Sequence, residues 1–418
     1  MGKLSIKSEI GKLKKVIIHE PGSEIEIMTP KTSEDLLYDD ILDLKTAVHE
    51  HRELAGILKI HSNVYQIKDL LRDVLDKVNE REELLKQLID EMNASQHILD
   101  DLMPLDSTTL ANLLICGVEK KKDTLTRFLS PRKYSLPPLP NFVYTRDSAI
   151  IINESVLTGS MANLIRSAEA TIMRYIFAHH DDFLSDGFYF DKVNGFHHNS
   201  KFEGGDILVI REDVLAIGLS ERTTSEAIDQ LTEKFREKGQ IKHIFAVILP
   251  KERAMIHLDM IFTMVDSHYC VVHEPVILGE DKLGVVHIDM TEKVNKITMV
   301  TDLLSGLKKV GIDLIPVLCG GKERLRQERE QWMCGANYFT IAPGKVIGYG
   351  RNTHTFDELE KVANMPRFEA VDILKGKIDI SKYDRYAIAI SGAELSRGGG
   401  GARCMTMPIQ REYVDLSS

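Results

Sequence analysis

The amino-acid sequence predicts an α/β fold in which repeated β–β–α units form a cyclic or stacked array, with one helical block inserted. A weak internal repeat is the first observation, because four apolar runs each start just after a polar residue and are followed by a turn and a second apolar run. The polar residues are Asp147, Asp206, Asp259 and Asn337. Recurrence at about 50 to 80 residues is typical of arrays whose loops converge on a shared centre. The second observation is the segment 58–102, which lacks Gly and Pro and has the apolar periodicity of helices.

The N-terminal elements follow from local patterns. A short β-strand is predicted over 14–18, where an apolar run ends in a Pro-Gly turn. Helix is predicted from about residue 33, and from Val64 onward apolar residues recur at the three-four spacing of an amphipathic face. The charges between them describe a solvated outer face with no assigned chemistry. The proline-rich segment 135–140 ends the block, since no helix can run through it. We therefore predict a helical bundle subdomain over 64–135, inserted in one catalytic domain over 1–418.

Charge and cysteine usage exclude several classes of protein. A formal net charge of -10 argues against a general nucleic-acid-binding surface. No apolar run approaches the roughly 18 residues that span a bilayer, and no signal-peptide pattern is present. The five cysteines include no Cys-x-x-Cys pair, which favours reduced thiols in the cytoplasm. We expect a soluble cytoplasmic protein that binds neither nucleic acid nor membranes, and a homo-oligomer is compatible with the sequence.

Four consecutive glycines at 398–401 lie just before Cys404. Without side chains, this backbone can close on a small ligand and direct its N–H groups at it. Two interpretations are open at this point. The segment is either a flexible surface loop beside a structural cysteine or a lid beside a nucleophile.

Candidate partners for a nucleophile come from other units of the repeat. Asp147 follows the proline-rich segment, and a turn or capping role is the commoner one for an Asp at a strand edge. Glu203 and Asp206 enclose two glycines, which allow a ligand or backbone to approach closely. His257 and Asp259 would share one face of an extended strand, as a core pair, half of a metal site, or a general acid or base beside a cation-binding group. A metal site is the weaker interpretation, because no second His-rich ligand set is present.

Taken together, Cys404 and His257 with the carboxylates of Glu203, Asp147 and Asp259 point to covalent catalysis. Three carboxylates exceed what one histidine needs for its orientation. The surplus predicts a cationic, planar substrate group, because paired carboxylates match the fork of a guanidinium.

The sequence resembles the arginine deiminase family, within the guanidine-modifying or pentein superfamily. Four motifs carry the resemblance, and their order and spacing match along nearly the whole chain: 141–147, 202–206, 257–259 and 398–408. The resemblance implies a five-bladed, pseudo-symmetric α/β propeller of ββαβ units with an inserted helical domain. It also implies hydrolysis of L-arginine to L-citrulline and ammonia through a Cys-linked S-alkylthiouronium, without a metal or an organic cofactor.

The same resemblance implies a role for each catalytic candidate. Cys404 would attack the guanidinium carbon, while Asp147 and Asp259 hold the guanidinium nitrogens. His257 would protonate the departing ammonia and then activate water, with Glu203 orienting its ring. Inside the superfamily, an amidinotransferase or a methylarginine hydrolase is the alternative. Outside it, the alternatives are a non-catalytic arginine-binding protein and a cysteine peptidase.

Further residues are implied for substrate binding. Those expected to read the substrate carboxylate are Asn141, Arg166 and Arg222. Tyr144 would lie beside the guanidinium, at a position where many relatives have Phe. Some relatives carry an arginine inside the glycine loop, whereas the run 398–401 is unbroken here. Any cation that closes the loop is therefore expected from Arg397 or Arg403.

Overall fold

A short parallel crossover opens the chain. The computed structural model describes residues 2–416 except 31, 32, 34, 35, 39, 131, 132 and 191–199. The first elements are β1 (Gly2–Lys3), β2 (Leu13–Ile18), α1 (Leu44–His61) and β3 (Asn63–Gln66). The strand predicted over 14–18 is confirmed. Val64, predicted on a helix, lies in β3 instead, because its backbone pairs in parallel with Val16 of β2.

A helical block follows. Its helices are α2 (Ile67–Leu75), α3 (Val78–Glu91), α4 (Ile98–Leu102), α5 (Ser107–Cys116) and, between β4 (Val118–Glu119) and β5 (Tyr134–Leu136), α6 (Leu125–Leu129). Residues 131 and 132 of the predicted insertion lie outside the described residues. The apolar stripes of α2 and α3 are buried, and they join one hydrophobic core with residues of the strands that follow. Burial of these stripes is what stabilises short helices of this kind.

Beyond the block, hairpins alternate with helices. The first group is β6 (Ala149–Ile152), β7 (Ser155–Thr158), α7 (Ser167–His179) and β8 (Phe183–Leu184). The second is β9 (Ile207–Arg211), β10 (Val214–Leu219), α8 (Ser225–Lys238) and β11 (His243–Ile248). In the second group β9 and β10 are antiparallel, and α8 leads to β11, which is parallel to β10. The pairing is therefore β–β–α–β.

Two more groups have this pairing. One contains β12 (Phe262–Met264), β13 (Tyr269–Val272), α9 (Glu274–Ile277), α10 (Leu303–Lys309) and β16 (Ile315–Leu318). Between α9 and α10 the chain forms β14 (Val285–Asp289) and β15 (Lys296–Val300), which extend the sheet of the second group beside β11. The other contains α11 (Arg324–Trp332), β17 (Phe339–Ala342), β18 (Lys345–Tyr349), α12 (Thr353–Ala363), β19 (Arg367–Glu369), α13 (Ala370–Leu374) and β20 (Tyr386–Ile390). The pairs β12–β13 and β17–β18 are antiparallel, while β13–β16 and β18–β20 are parallel.

The last strand returns to the first ones. β21 (Met407–Arg411) pairs antiparallel with β2, which in turn is parallel to β3 across α1. The two ends of the chain thus build one sheet, and they bring residue 404 next to the N-terminal strands. The mixed α/β class predicted from the sequence is confirmed.

The turns before the first strand of each hairpin carry the repeated polar residues. Asp147, Asp206 and Asn337 lie one or two residues before β6, β9 and β17, as predicted. The extended strand predicted for His257 and Asp259 is wrong, since residues Leu258–Met260 form a 3-10 turn. The turn forms because Met260 N–H donates to His257 O, while Leu258 N–H donates to an Asp206 carboxylate oxygen.

Two further expectations concern thiols and membranes. No disulfide joins any of the five cysteines. Across the part of the chain that the structure describes, no helix combines the length and apolar character needed to cross a bilayer.

Candidate active site

A buried histidine lies between two carboxylates supplied by different hairpins. His257 Nε2 is 2.9 Å from Glu203 Oε2, and His257 Nδ1 is 3.6 Å from Asp147 Oδ1. All three side chains are buried. A Cβ on Gly205 would lie 2.5 Å from His257 Nδ1, so the close approach expected at this glycine is present. The structure thus brings together three of the five residues that the sequence predicted as one group.

The Cys404 thiol faces the carboxylate of Asp259. Its Sγ is 3.7 Å from Asp259 Oδ2 and 3.8 Å from Met260 Sδ. Cys404 lines the same small cavity as Asp147 and His257. Thiol, histidine and carboxylates therefore meet at one centre, although they come from distant parts of the sequence.

Both arginines predicted to read a carboxylate are bonded to carboxylates of the protein itself. Arg166 Nη1 donates to Asp147 Oδ2 at 2.7 Å, and its Nε and Nη2 donate to Glu169 Oε2 at 3.0 and 2.8 Å. Arg222 Nη1 donates to the two Glu203 oxygens at 3.2 and 3.3 Å. Arg166 is 4% exposed and Arg222 is 12% exposed, and both line the cavity. Arg222 is the better placed of the two to meet an anion entering from solvent.

Tyr144 fills the space beneath the glycine run. A Cβ on Gly400 would lie 2.3 Å from Tyr144 Cε1, and one on Gly398 would lie 2.2 Å from the Tyr144 hydroxyl. That hydroxyl is buried and has no hydrogen-bond partner among the described residues. Asn141 lines the same cavity, and its Nδ2 donates to Leu36 O at 2.7 Å. The glycines are required because the tyrosine ring packs directly against their backbone.

The cavity is closed down to a volume of about 30 Å³, which holds about one water molecule. Its lining includes Leu37 and Arg253, and Arg253 Nη2 donates to Leu37 O at 2.6 Å across it. Part of this lining must move before anything as large as an amino acid can enter.

Neither arginine expected to close the glycine loop belongs to the residues that line the cavity. Arg397 Nη2 donates to Asp40 Oδ2 at 2.6 Å on the outer surface. Arg403 is buried, with Nη1 2.8 Å from Asp259 Oδ2 and Nη2 3.0 Å from Glu9 Oε1. Arg403 therefore holds Asp259 from behind, away from the cavity.

The electrostatics of the histidine favour its charged form. Burial alone would lower the pKa of His257, but the charge of Asp147 and the hydrogen bond to Glu203 outweigh burial and raise this pKa to about 9. Burial alone would raise the pKa of Glu203, yet the hydrogen bond with His257 and the charge of Arg222 hold it well below the ordinary value. The pair is therefore imidazolium and carboxylate at neutral pH, ready to donate a proton.

The electrostatics of the thiol are the opposite. Burial, and then the charges of Asp259 and Asp147, raise the pKa of Cys404 well above its ordinary value. Cys404 is consequently a neutral thiol in the closed site. A cation placed between the two carboxylates would cancel their effect and favour the thiolate.

The same geometry bears on metal binding. Asp147, Glu203 and His257 each offer one ligand atom, and these atoms lie within 4.8 Å of one another. Arg166 and Arg222 already donate to two of these carboxylates. A divalent cation would have to share the carboxylates with two guanidinium groups, so the donor set fits a metal poorly.

Three buried polar residues support the site without having been assigned to it from the sequence. Asp206 accepts hydrogen bonds from the Ser220 and Thr223 hydroxyls at 2.7 and 2.6 Å, and burial raises its pKa to about 7. Asn337 accepts hydrogen bonds from the backbone N–H groups of Arg403 and Cys404, and Glu9 accepts from the side chain of Arg403. The repeat marks Asp206 and Asn337, so a signal existed for these two. For Glu9 no local pattern could have found the contact, since 394 positions separate it from Arg403.

Sequence comparison relates the chain to known enzymes. A family model described as arginine deiminase matches residues 34–411. The arginine deiminase of Listeria monocytogenes serotype 4b (strain CLIP80459) is 34% identical over 428 residues, covering 98% of both chains. The arginine deiminase of Treponema denticola is 33% identical over 446 residues, covering 99% of this chain and all of the relative.

Structural comparison relates the fold to solved proteins of low sequence identity. SxtG, an amidinotransferase of the saxitoxin biosynthetic pathway from Microseira wollei, superposes with a TM-score of 0.54 at 14% identity, covering 99% of both chains. Unliganded AgrE superposes with a TM-score of 0.51 at 13% identity, covering 96% of this chain and 40% of AgrE. These similarities concern the fold alone.

Proposed function

The chain belongs to the arginine deiminase family, and we propose that its buried site hydrolyses L-arginine to L-citrulline and ammonia. The chain is a hydrolase of the carbon–nitrogen bond of an amidine. One observation carries the assignment of the site, namely that the Cys404 thiol and the His257 imidazolium face one small cavity surrounded by buried carboxylates. Such a centre suits a planar cation far better than a neutral carbonyl group.

The first half of the reaction forms a carbon–sulfur bond. The Cys404 thiol releases its proton to solvent as the guanidinium binds, and the resulting thiolate Sγ attacks the guanidinium carbon while Asp147 and Asp259 hold its nitrogens. The electron pair of the C=N bond moves onto nitrogen and gives a tetrahedral adduct. His257 donates its proton to a terminal nitrogen, the C–N bond breaks, and ammonia leaves. The product of this half is a positively charged S-alkylthiouronium on Cys404.

The second half reverses the roles of the histidine. Neutral His257 takes a proton from water, whose oxygen attacks the thiouronium carbon. The C–S bond then breaks, citrulline is released, and the thiol and the imidazolium are restored. Glu203 orients the ring through the 2.9 Å hydrogen bond in both halves. Water adds one oxygen and two hydrogens overall, and no oxidant or reductant is needed.

The thiol is activated by the substrate. The neighbouring carboxylates raise the pKa of Cys404 in the closed site, so few molecules hold a thiolate beforehand. A bound guanidinium neutralises Asp147 and Asp259 and lowers the cost of forming the thiolate. The substrate thereby creates the nucleophile that attacks it.

Substrate specificity is assigned to other residues that line the same cavity. Arg222 and Asn141 bind the substrate carboxylate, with Arg166 behind them, and Tyr144 packs against the guanidinium. Entry requires the glycine run to lift from Tyr144, because the closed cavity holds about one water. Agmatine lacks the carboxylate, and it should therefore be a poor substrate.

A direct assay tests this function. Purified protein is incubated with L-arginine, citrulline and ammonia are quantified, and the acid-quenched protein is weighed intact. We expect equal yields of the two products and, in a slowed variant such as His257→Ala, a covalent adduct on Cys404. Parallel reactions with glycine as acceptor and with methylated arginine should yield nothing further. Full activity of Cys404→Ser together with efficient use of agmatine would overturn both the mechanism and the carboxylate assignment.

The finer architecture is proposed on the same premise. We propose that five β–β–α–β units, one of them built from β21, β2, α1 and β3, stand as blades around the site. The repeated pairing described above supports this arrangement. The helical subdomain over 64–135, the cytoplasmic location and assembly as a homo-oligomer stay predictions.

A further inference from the structure

Asn337 connects the backbone of the nucleophile to the backbone of the guanidinium-binding carboxylate. Its side-chain Oδ1 accepts the N–H groups of Arg403 and Cys404 at 3.0 and 3.2 Å. Its Nδ2 donates to Asp259 O at 3.0 Å. Asn337 is 1% exposed and does not line the cavity. One amide thus spans two segments that lie 145 positions apart in the chain.

The tight packing around this amide comes from Gly401. A Cβ on that glycine would lie 2.6 Å from Asn337 Oδ1 and 2.8 Å from Asn337 Cβ. Asn337 itself is held in the turn before β17, where its N–H donates to Cys334 O at 3.0 Å. Gly401 and Cys334 both lie close to this side chain and are buried, so the amide has little freedom to rotate. The amide therefore fixes the distance between the segment that carries Cys404 and the segment that carries Asp259.

The occupied N–H groups also bear on the chemistry. Enzymes that attack a carbonyl commonly use backbone N–H groups near the nucleophile to stabilise an oxyanion. Here the N–H of Cys404 and that of the preceding residue are both taken by Asn337 Oδ1. This arrangement suits attack on a guanidinium, which develops no oxyanion in the first step, and it disfavours a cysteine peptidase.

We propose that Asn337 is a positioning residue, which sets the distance between the Cys404 thiol and the Asp259 carboxylate for attack on the guanidinium carbon. The proposal rests on the proposed function for its kinetic consequence. The repeat places Asn337, like Asp147 and Asp259, in the turn before the first strand of a hairpin. Two of these equivalent positions hold the substrate, and Asn337 instead holds the segments that carry the reacting groups.

The test compares Asn337→Ala with the matched control Asn352→Ala. Asn352 is equally buried and its Nδ2 donates to Met333 O at 2.9 Å, but it contacts neither Cys404 nor Asp259. For Asn337→Ala we expect kcat to fall about 100-fold, the loss typical of an ångström-scale misplacement, with KM within about threefold of the wild type. Thermal unfolding should occur at a lower temperature in both variants, and more so in Asn337→Ala, which loses three side-chain hydrogen bonds where the control loses one. The control keeps its kcat.

A second variant and a substrate-free measurement keep the test decisive. Gly401→Ala presses a methyl group on the same amide and should lower kcat with KM unchanged. The rate at which iodoacetamide alkylates Cys404, read by peptide mass, should change at least about fivefold in Asn337→Ala and not in Asn352→Ala. A kcat and an alkylation rate equal to those of the control would overturn the proposal. If the wild type releases no ammonia from arginine, the proposed function fails, and the alkylation ratio still decides the role of Asn337.

Discussion

Replacing Glu203 by glutamine should move the pH dependence of catalysis without removing the hydrogen-bond acceptor. The pKa of His257 rises from its ordinary 6.5 to about 9 in the folded protein, a preference of about 3 kcal/mol for the imidazolium. Asp147 at 3.6 Å and Glu203 at 2.9 Å are its nearest anions. A neutral glutamine removes the closer charge and leaves Arg222 unpaired beside the ring. We expect the pKa of His257 to fall by about one to two pH units.

The assay is kcat/KM for arginine between about pH 6 and pH 10, which reports ionisations of the free enzyme. Loss of the imidazolium proton makes the rate fall as pH rises, so the wild type should lose activity near pH 9. Titration of the Cys404 thiol acts in the opposite direction, because a thiolate forms as pH rises. The two groups can therefore be told apart by the sign of the slope. In Glu203→Gln the falling limb should begin about one to two pH units lower.

Glu24→Gln is the control for this experiment. Glu24 is buried and lies 3.0 Å from His19 Nε2, so it repeats the Glu–His geometry outside the cavity. Its replacement should leave the kinetic profile in place. A falling limb that stays at the wild-type pH in Glu203→Gln would refute the assignment of His257 as the acid and Glu203 as the anion that raises its pKa.

The same ion pair predicts how stability depends on pH. The pKa of His257 in the folded protein lies above its ordinary value, so its stabilising contribution is fully present below about pH 6.5 and is lost as pH rises through about 9. The free energy of unfolding can be measured by urea titration at pH 6 and at pH 10. The difference between these two values should be smaller for Glu203→Gln than for the wild type.

Further predictions concern the glycine run, the arginine proposed to bind the substrate carboxylate, and the Cys404 thiol. Gly398→Ala should lower kcat/KM about 10- to 100-fold because its methyl group meets the Tyr144 hydroxyl, and Tyr144→Phe should restore most of the loss. Gly400→Ala should not be rescued by the same change, since its methyl group meets the ring itself. Arg222→Ala should raise KM for arginine about 10- to 100-fold, the loss expected for a charge-assisted hydrogen bond, measured by initial rates. Cys404→Ser should release no citrulline while unfolding at the wild-type temperature.

Each of these predictions has a result that would contradict it. Equal rescue of both glycine variants would mean that the lid is not packed on the tyrosine ring in the way described. An unchanged KM in Arg222→Ala, with agmatine still a poor substrate, would assign the carboxylate to another residue. Citrulline release by Cys404→Ser would exclude the thiol as the nucleophile.

Some positions of the candidate site are marked in the sequence because their signals are local, even where no role was assigned to them. Asp147, Asp206 and Asn337 each precede a strand in a short turn, and turn chemistry is written in neighbouring residues. Glycines that precede a thiol, or follow a carboxylate, mark close approaches of the backbone for the same reason. The pattern nevertheless assigned His257 and Asp259 to a strand, since alternation cannot distinguish an extended segment from a 3-10 turn held by a distant carboxylate.

What the sequence by itself determined is the chemistry available: one thiol beside glycines, a histidine, and carboxylates recurring along the chain. Only the tertiary structure decided how these groups are partnered. Arg166 is bonded to Asp147, and Arg403 joins Glu9 to Asp259 across 394 positions. The glycine run is shaped by the ring of Tyr144. Local patterns reflect the geometry of a few adjacent residues, whereas these contacts depend on which strands pair, and that pairing is settled by burial of apolar surface over the whole chain.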